Sequence, residues 1–394
     1  MIDPKICIVY DRLNTKHGGA EFLLRELAET FPKASFATSV YSPKIVDWMS
    51  DREVITSFLQ HFPFAIKHHQ FFLPLMPLAF ESLDLSKFDI IFSVTSAEAL
   101  GVITKPSQRH ICYLLSPPRY LESEQSEYLN SYPLIKIPGV FQITKLILKY
   151  VSLWYRVAAK RPDIVIPLSK MVANRASNNY VALTKPLYPP VPIPSLGELE
   201  SAGKLPINKF ILSLSRLVWY KRVDLAISAA KEMNRQLIVA GEGAVFYALV
   251  GQAGNQGIVR RDGESLDEFC MRAMNAKKTI LFTRAISEPE KIRLLKYSQA
   301  TCMLGREDFG LVTLESLAHG TPCLIYAGSG AAEVLENGEH GFVLQTQSIK
   351  EVVAGLTKID NTQFSPTRLR EKSAKYRPEI FRKQVKKLVY DGCL

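Results

Sequence analysis

The chain has 394 residues, of which 47% are hydrophobic and 22% charged, and it carries a net charge of +11 at neutral pH. That length can bury a full core and reads as two domains rather than one, while no uncharged apolar run reaches the roughly 18 residues of a membrane span. The basic balance suits an anionic ligand; without a zinc finger, homeodomain-like helix or RNP aromatic motif, nucleic acid is not an expected partner.

In chain order, Ile6 to Tyr10 reads as a strand. With acids close by, this start is not expected to be a secretory signal. His17-Gly18-Gly19-Ala20-Glu21 follows a short loop and opens a helix from about Gly19 to Thr30. Glycines there let the backbone approach a ligand, and a helix start offers free N–H donors. The pattern departs from GxGxxG, which disfavours nicotinamide chemistry. His61 to Phe80, with Phe62, Phe64, Phe71 and Phe72, is expected to fill the domain core, the alternative being a patch that receives a lipid-linked molecule. Strands follow at Ile90 to Val94, Ile111 to Leu114 and Ile164 to Pro167.

Between Tyr128 and Pro162 stand six basic residues and no acidic one, interleaved with apolar and aromatic side chains. Gln142, Lys145, Lys149, Ser152, Arg156 and Lys160 recur at helical spacing, giving a cationic stripe opposite an apolar one. Such a helix either lies on anionic lipid or packs on the core with a solvated basic face. Lys185 to Pro194 is too proline-rich for a helix or a central strand and marks an extended linker. Apolar runs restart at Phe210 to Leu214, Gln236 to Ala240, Thr279 to Phe282, Ala300 to Leu304 and Pro322 to Tyr326. This alternation of strands with helical patterns predicts, in each half, a parallel sheet with helices on both faces. The six cysteines form no CxxC pair and several sit in apolar runs, which points to a reducing compartment and no metal site.

Residues 307–315 read Glu307-Asp308-Phe309-Gly310-Leu311-Val312-Thr313-Leu314-Glu315. The preceding strand places Glu307 at its carboxyl end and Glu315 inside the next helix. In a doubly wound sheet, ligands bind at such strand ends, where helix N-termini attract phosphate. One carboxylate would suit ribose hydroxyls and the other a sugar. Arg216 and Lys221 follow the strand ending at Leu214 and converge on one loop, where they could neutralise a diphosphate. Gly328-Ser329-Gly330-Ala331-Ala332-Glu333 lies downstream, with Glu333 ranked below the other two acids. Cys112 to Tyr120 contains Leu115-Ser116-Pro117-Pro118-Arg119-Tyr120.

Together the Gly-Gly-Ala-Glu loop, the Ser213-Leu214-Ser215-Arg216 and Lys221-Arg222 segment, the Glu307 to Glu315 stretch and the Pro-x-Arg-Tyr run resemble family 4 glycosyltransferases of the GT-B fold, over nearly the whole chain. The likeness is greatest to the mannosyltransferase-like members that build bacterial surface polysaccharides. It implies two Rossmann-like α/β domains facing across a cleft: an acceptor-side domain over 1–195, a donor-binding domain over 205–375, and a last helix over 376–394 crossing back to the first. It further implies a retaining transfer of a hexose, with mannose as the family's lean, from a GDP- or UDP-sugar to a hydroxyl of a glycan or lipid-linked acceptor. No metal or other cofactor is expected.

By this resemblance Glu307, Arg216 and Lys221 are the catalytic candidates. The donor contacts are Gly18, Gly19, Arg216, Lys221, Asp308, Phe309, Gly310, Leu311, Val312 and Glu315, and the acceptor side holds Arg119 and Tyr120. Leu115 stands where the family's motif carries a His that contacts the transferred sugar; His17, Lys105, Arg109 and His110 are nearby in sequence or candidate substitutes. The alternatives are a sugar-nucleotide epimerase, a phosphorylase, or an inactive nucleotide-sugar-binding protein. A cytoplasmic location is expected, at the inner face of the cell membrane if the basic helix binds lipid.

Overall fold

The computed structural model describes residues 4–16, 18–121, 138–177 and 179–391. The chain folds as two compact units, residues 1–190 with 379–394 and residues 191–378. The passage between them falls inside the proline-rich stretch, where fixed φ angles and missing N–H donors leave 184–195 without helix or strand.

The first unit runs β1 (Ile6–Tyr10), α1 (Gly19–Thr30), β2 (Ser35–Thr38), β3 (Val54–Thr56), α2 (Met76–Glu81), β4 (Ile90–Thr95), β5 (Arg109–Leu114), α3 (Pro138–Ala158), β6 (Ile164–Pro167) and α4 (Lys170–Ala176). Its six strands lie in the order β3-β2-β1-β4-β5-β6, all parallel. The predicted bounds of β1, β6 and α1 agree with the structure, whereas β2 and β3 carry no sequence signal strong enough to have been anticipated. They are short, SFAT and VIT, and β3 is an edge.

The second unit runs α5 (Leu196–Ser201), β7 (Ile211–Leu214), α6 (Val223–Glu232), β8 (Leu237–Ala240), α7 (Phe246–Ala253), β9 (Gly257–Val259), α8 (Leu266–Asn275), β10 (Ile280–Arg284), α9 (Glu288–Tyr297), β11 (Ala300–Met303), α10 (Leu311–Ala318), β12 (Cys323–Tyr326), β13 (Gly341–Leu344), α11 (Ile349–Asp360) and α12 (Pro366–Ala374). The sheet order is β13-β12-β11-β7-β8-β10-β9. Alternate residues of each strand feed opposite cores. Ile211, Leu237 and Ile280 join α6, α7 and α11 on one face; Leu212, Ile238 and Leu281 join α8 and α9 on the other. That two-sided burial is why these strands read as continuous apolar runs rather than alternating ones.

Residues Arg368 to Tyr390 read as one helical pattern, but the structure divides them. Proline cannot donate the N–H that a helix interior needs, so α12 ends at Ala374 and α13 (Pro378–Asp391) starts afresh on Pro378. In the first unit, the stripe Phe381, Val385, Leu388 and Val389 is buried. Phe381 meets Tyr113 edge-on, and Arg109 donates to the Val389 carbonyl. The neighbouring His110 is fully buried, its Nε2 meeting the Ser93 hydroxyl at 2.9 Å.

The aromatic run at 61–80 is only partly core. Met76, Ala79 and Phe80 are buried, while Phe62, Phe64 and Phe71 are exposed.

Candidate functional site

The second sheet reverses its strand order between β11 and β7, the place where an open α/β sheet binds ligands on the loops leaving its strands' carboxyl ends. After β7, the chain passes Arg216 and a 3-10 turn, Trp219–Lys221, and then Arg222 takes up a left-handed conformation at φ 52° before α6 begins. A non-glycine residue pays for that conformation only where its surroundings fix it. Here Asp224 holds the guanidinium by bonds of 3.0 and 2.9 Å. Lys221 is thereby set at the end of a rigid turn.

After β11 the loop carries Gly305, Glu307, Asp308 and Phe309 to Gly310, which caps α10 at φ 84° with no side-chain hydrogen bond. A β-carbon at Gly305 would lie 2.2 Å from the Tyr220 carbonyl oxygen and 2.6 Å from the Lys221 α-carbon. The two loops therefore pack backbone against backbone, which only glycine permits. On the far side, the Gly330 N–H donates to the Glu307 carbonyl at 2.7 Å.

This packing brings Lys221 Nζ to 2.7 Å from Glu307 Oε2, both side chains being largely buried. The other carboxylate oxygen, Oε1, is buried and has no hydrogen-bond partner among the described residues. Arg216 is exposed and donates to the Tyr220 hydroxyl at 3.1 Å. In the first turn of α10 the Thr313 N–H already donates to the Gly310 carbonyl at 2.9 Å, but the Leu311 and Val312 amides have no intrahelical acceptor and no side-chain cap, so they present N–H groups and the positive end of the helix dipole. Phe309 is buried, its ring 6.2 Å from that of Tyr376. Lys221, the Leu311 and Val312 amides and an acceptor oxygen without a donor thus lie at the neighbouring carboxyl ends of β7 and β11, with Arg216 on the same loop as Lys221.

Glu315 lies deeper in α10, nearly buried, and accepts from Lys291 Nζ at 3.1 Å; Lys291 also reaches Glu288 at 2.8 Å. Burial pulls the Lys291 ammonium down, but these two carboxylates outweigh it and hold its pKa above the usual lysine range. Lys291 has no motif around it in α9, and its role became visible only when the fold set it against Glu315.

Not all of the predicted residues gather here. Gly18 and Gly19 belong to the first unit, at the uncapped start of α1. Gly18 is extended rather than left-handed, and His17 lies outside the described residues. Arg119 and Tyr120 form a 3-10 turn, also in the first unit. The Tyr120 hydroxyl donates to the fully buried Glu98, which also accepts from Arg12 at 2.6 Å. Sequence reading missed Arg12 and Glu98, because neither sits in a motif and their meeting depends on β1 lying beside β4. Leu115 is half-buried after β5, its N–H held by the Thr95 carbonyl at 2.8 Å.

Among the described residues, one cluster has metal-ligand proximity: Glu336, Glu339 and His340 bring ligand atoms within 4.8 Å of one another. Lys372 already pairs with Glu336 there, placing positive charge where a cation would sit. Among those residues no helix is long and apolar enough to cross a membrane.

Residues 200–376, a span lying wholly in the second unit, match the family model described as "Glycosyl transferases group 1". No curated protein matches the chain by sequence. Among solved structures, the chain resembles sucrose-phosphate synthase (tll1590) from Thermosynechococcus elongatus at 14% identity and a TM-score of 0.67, with 98% of each chain covered. It also resembles Anabaena Alr3699/HepE in complex with UDP-glucose, at 16% identity and a TM-score of 0.65, covering 98% of this chain and 99% of that one. A third likeness is to the apo form of the lipopolysaccharide outer core galactosyltransferase WaaB, at 13% identity and a TM-score of 0.62, covering 99% and 100%. The two parallel-sheet α/β units are those of the GT-B glycosyltransferase fold.

Proposed function

We propose that this chain is a retaining glycosyltransferase of the family 4 type. It moves a hexose from a nucleotide diphosphate sugar to a hydroxyl of a glycan or lipid-linked acceptor. The observation that carries this reading is the Glu307 carboxylate. One oxygen is paired with Lys221 and the other is buried without a donor, beside the open first turn of α10. A buried acceptor without a partner costs about 1–3 kcal/mol, so the site favours a ligand that brings hydroxyl donors. A hexose does so, and its diphosphate matches the adjacent cations and amides.

In this mechanism Arg216, Lys221 and the Phe309 to Val312 amides take the charge that develops on the diphosphate as the sugar leaves. With those donors in place, the reading calls for no metal. Glu307 binds hydroxyls of the transferred hexose and orients its anomeric carbon, and Glu315, braced by Lys291, serves the ribose. By the family resemblance, Gly18 and Gly19 are assigned to the donor's phosphates, and Arg119 and Tyr120 to the acceptor. The donor is a GDP- or UDP-hexose. The UDP-glucose held by the Anabaena relative favours including UDP-sugars beside GDP-mannose.

The test is release of nucleoside diphosphate from a set of GDP- and UDP-hexoses in the presence of extracted bacterial lipid. Wild type is expected to release it, and Glu307→Ala to lose at least a hundredfold in rate, about the effect of removing one key electrostatic contact. Full activity in the variant would overturn the assignment. Nucleotide-sugar binding without turnover on any acceptor would instead favour the inactive-binder reading that Leu115 motivates.

A further inference from the structure

The helix α3 has three longitudinal rows rather than the two its sequence suggested. Leu148, Val151, Tyr155 and Ala158 are buried and fix it to the first unit. A second apolar row, Ile143, Leu146, Tyr150, Leu153 and Val157, is 50–68% exposed. It advances by alternating three- and four-residue steps and so forms a continuous ridge about 21 Å long. The third row is Gln142, Lys145, Lys149 and Arg156, all exposed, lying roughly 100° around the axis from the ridge. The helix contains no acidic residue. Glu81, which reaches the helix at the Trp154 indole N–H, is also occupied by Arg161.

Beside this helix packs the 3-10 segment His69–Leu75, whose Phe71 ring is three-quarters exposed. Phe62 and Phe64, on the turn before it, are exposed as well. A soluble surface rarely leaves so many large apolar side chains in one neighbourhood without a partner for them.

We propose that the exposed ridge of α3, extended by Phe71, docks the first unit onto an anionic lipid surface. The helix would lie in the plane of the interface. Its ridge would enter the acyl boundary and Lys145, Lys149 and Arg156 would sit among the head groups. Charge selects this occupant. A second copy meeting the ridge would bring two cationic rows together with no acid on either helix, whereas anionic lipid satisfies both rows at once. The inference rests on α3 and Phe71 and stands whether or not the donor-site reading holds.

The test is co-sedimentation of the full chain with vesicles of phosphatidylglycerol and phosphatidylcholine in equal parts, and with phosphatidylcholine alone. Binding to the mixed vesicles, weakened by salt and weak on the neutral ones, is expected. Lys145→Gln/Lys149→Gln/Arg156→Gln should lower that affinity about a hundredfold, each cation near such a surface supplying roughly a fivefold effect. Leu146→Asp/Leu153→Asp should abolish it. Both variants alter exposed side chains, so their melting temperatures and their response to nucleotide sugars should match wild type. Failure to bind mixed vesicles, or undiminished binding by the variants, would overturn the proposal. So would a concentration-dependent dimer that the leucine variant dissolves, since the ridge would then belong to a second copy.

Discussion

Lys221 Nζ and Glu307 Oε2 stand 2.7 Å apart, tying the loop after β7 to the loop after β11 at the point where the strand order of the second sheet reverses. Each side chain is largely shielded from water, so each relies on the other as its ion-pair partner. The pair also leaves the second Glu307 oxygen facing a place that no donor of the described chain fills.

That dependence is measurable as a coupling. Lys221→Met leaves a shielded carboxylate without its cation, and Glu307→Gln leaves the ammonium without its anion. Each is expected to destabilise the second unit by about 1–3 kcal/mol, less than a fully buried pair would cost because both groups keep some contact with solvent. The double variant should lose less than the sum of the two singles, giving an interaction energy of roughly 1 kcal/mol or more in a urea-unfolding cycle. Strict additivity would mean that the contact contributes nothing.

Gly305 lets the two loops touch. Gly305→Ala would drive a methyl group into the Tyr220 carbonyl and the Lys221 backbone, and the expected cost is about 1–3 kcal/mol in the unfolding transition of the second unit. Gly251→Ala is the control. It lies within α7 with nothing within 4 Å of the added carbon and should be neutral or stabilising. Equal effects at the two sites would contradict the close approach described here.

The first unit should be acid-sensitive. Burial pulls His110 from 6.5 to about 4, against the opposing pull of Asp163 and with Arg161 adding to it. His69 falls to about 4 as well, through burial first and then the charges of Arg12 and His68. Between pH 6.5 and 4 the unfolded chain binds protons that the folded chain refuses. Stability is therefore fully present above about 6.5 and declines as pH falls towards 4. His110, completely buried, would account for about 3 kcal/mol of that decline. Melting temperatures recorded across this range should fall with pH, and His110→Asn should flatten the slope by the equivalent of about one proton. A slope unchanged in that variant would remove His110 from the account.

Much of the architecture was readable because parallel strands buried on both faces are unbroken apolar runs. Ile211–Leu214, Leu237–Ala240 and Cys323–Tyr326 were each legible within a residue. The short edge strands β3, β9 and β13 were not, since VIT, GIV and GFVL are too brief to show a pattern. The loops bearing Glu307 and Lys221 were visible as motifs, but their ion pair was not, because it depends on β11 lying beside β7. The same holds for Lys291 with Glu315, and for Arg12 and Tyr120 on Glu98. On α3 the spacing of cations was plain, whereas only burial could tell that one apolar row faces the core and another faces out.

The most direct test of the account is thermal stabilisation by a panel of GDP- and UDP-hexoses, measured on wild type and on Arg216→Ala. A ligand that binds only the folded chain raises its stability, by about 2.7 kcal/mol at a hundred times its dissociation constant. The account predicts an upward shift with at least one nucleotide sugar in wild type, and its loss or sharp reduction in the variant. No shift with any of them, or an equal shift in both proteins, would contradict a nucleotide-sugar site built on Arg216, Lys221 and Glu307.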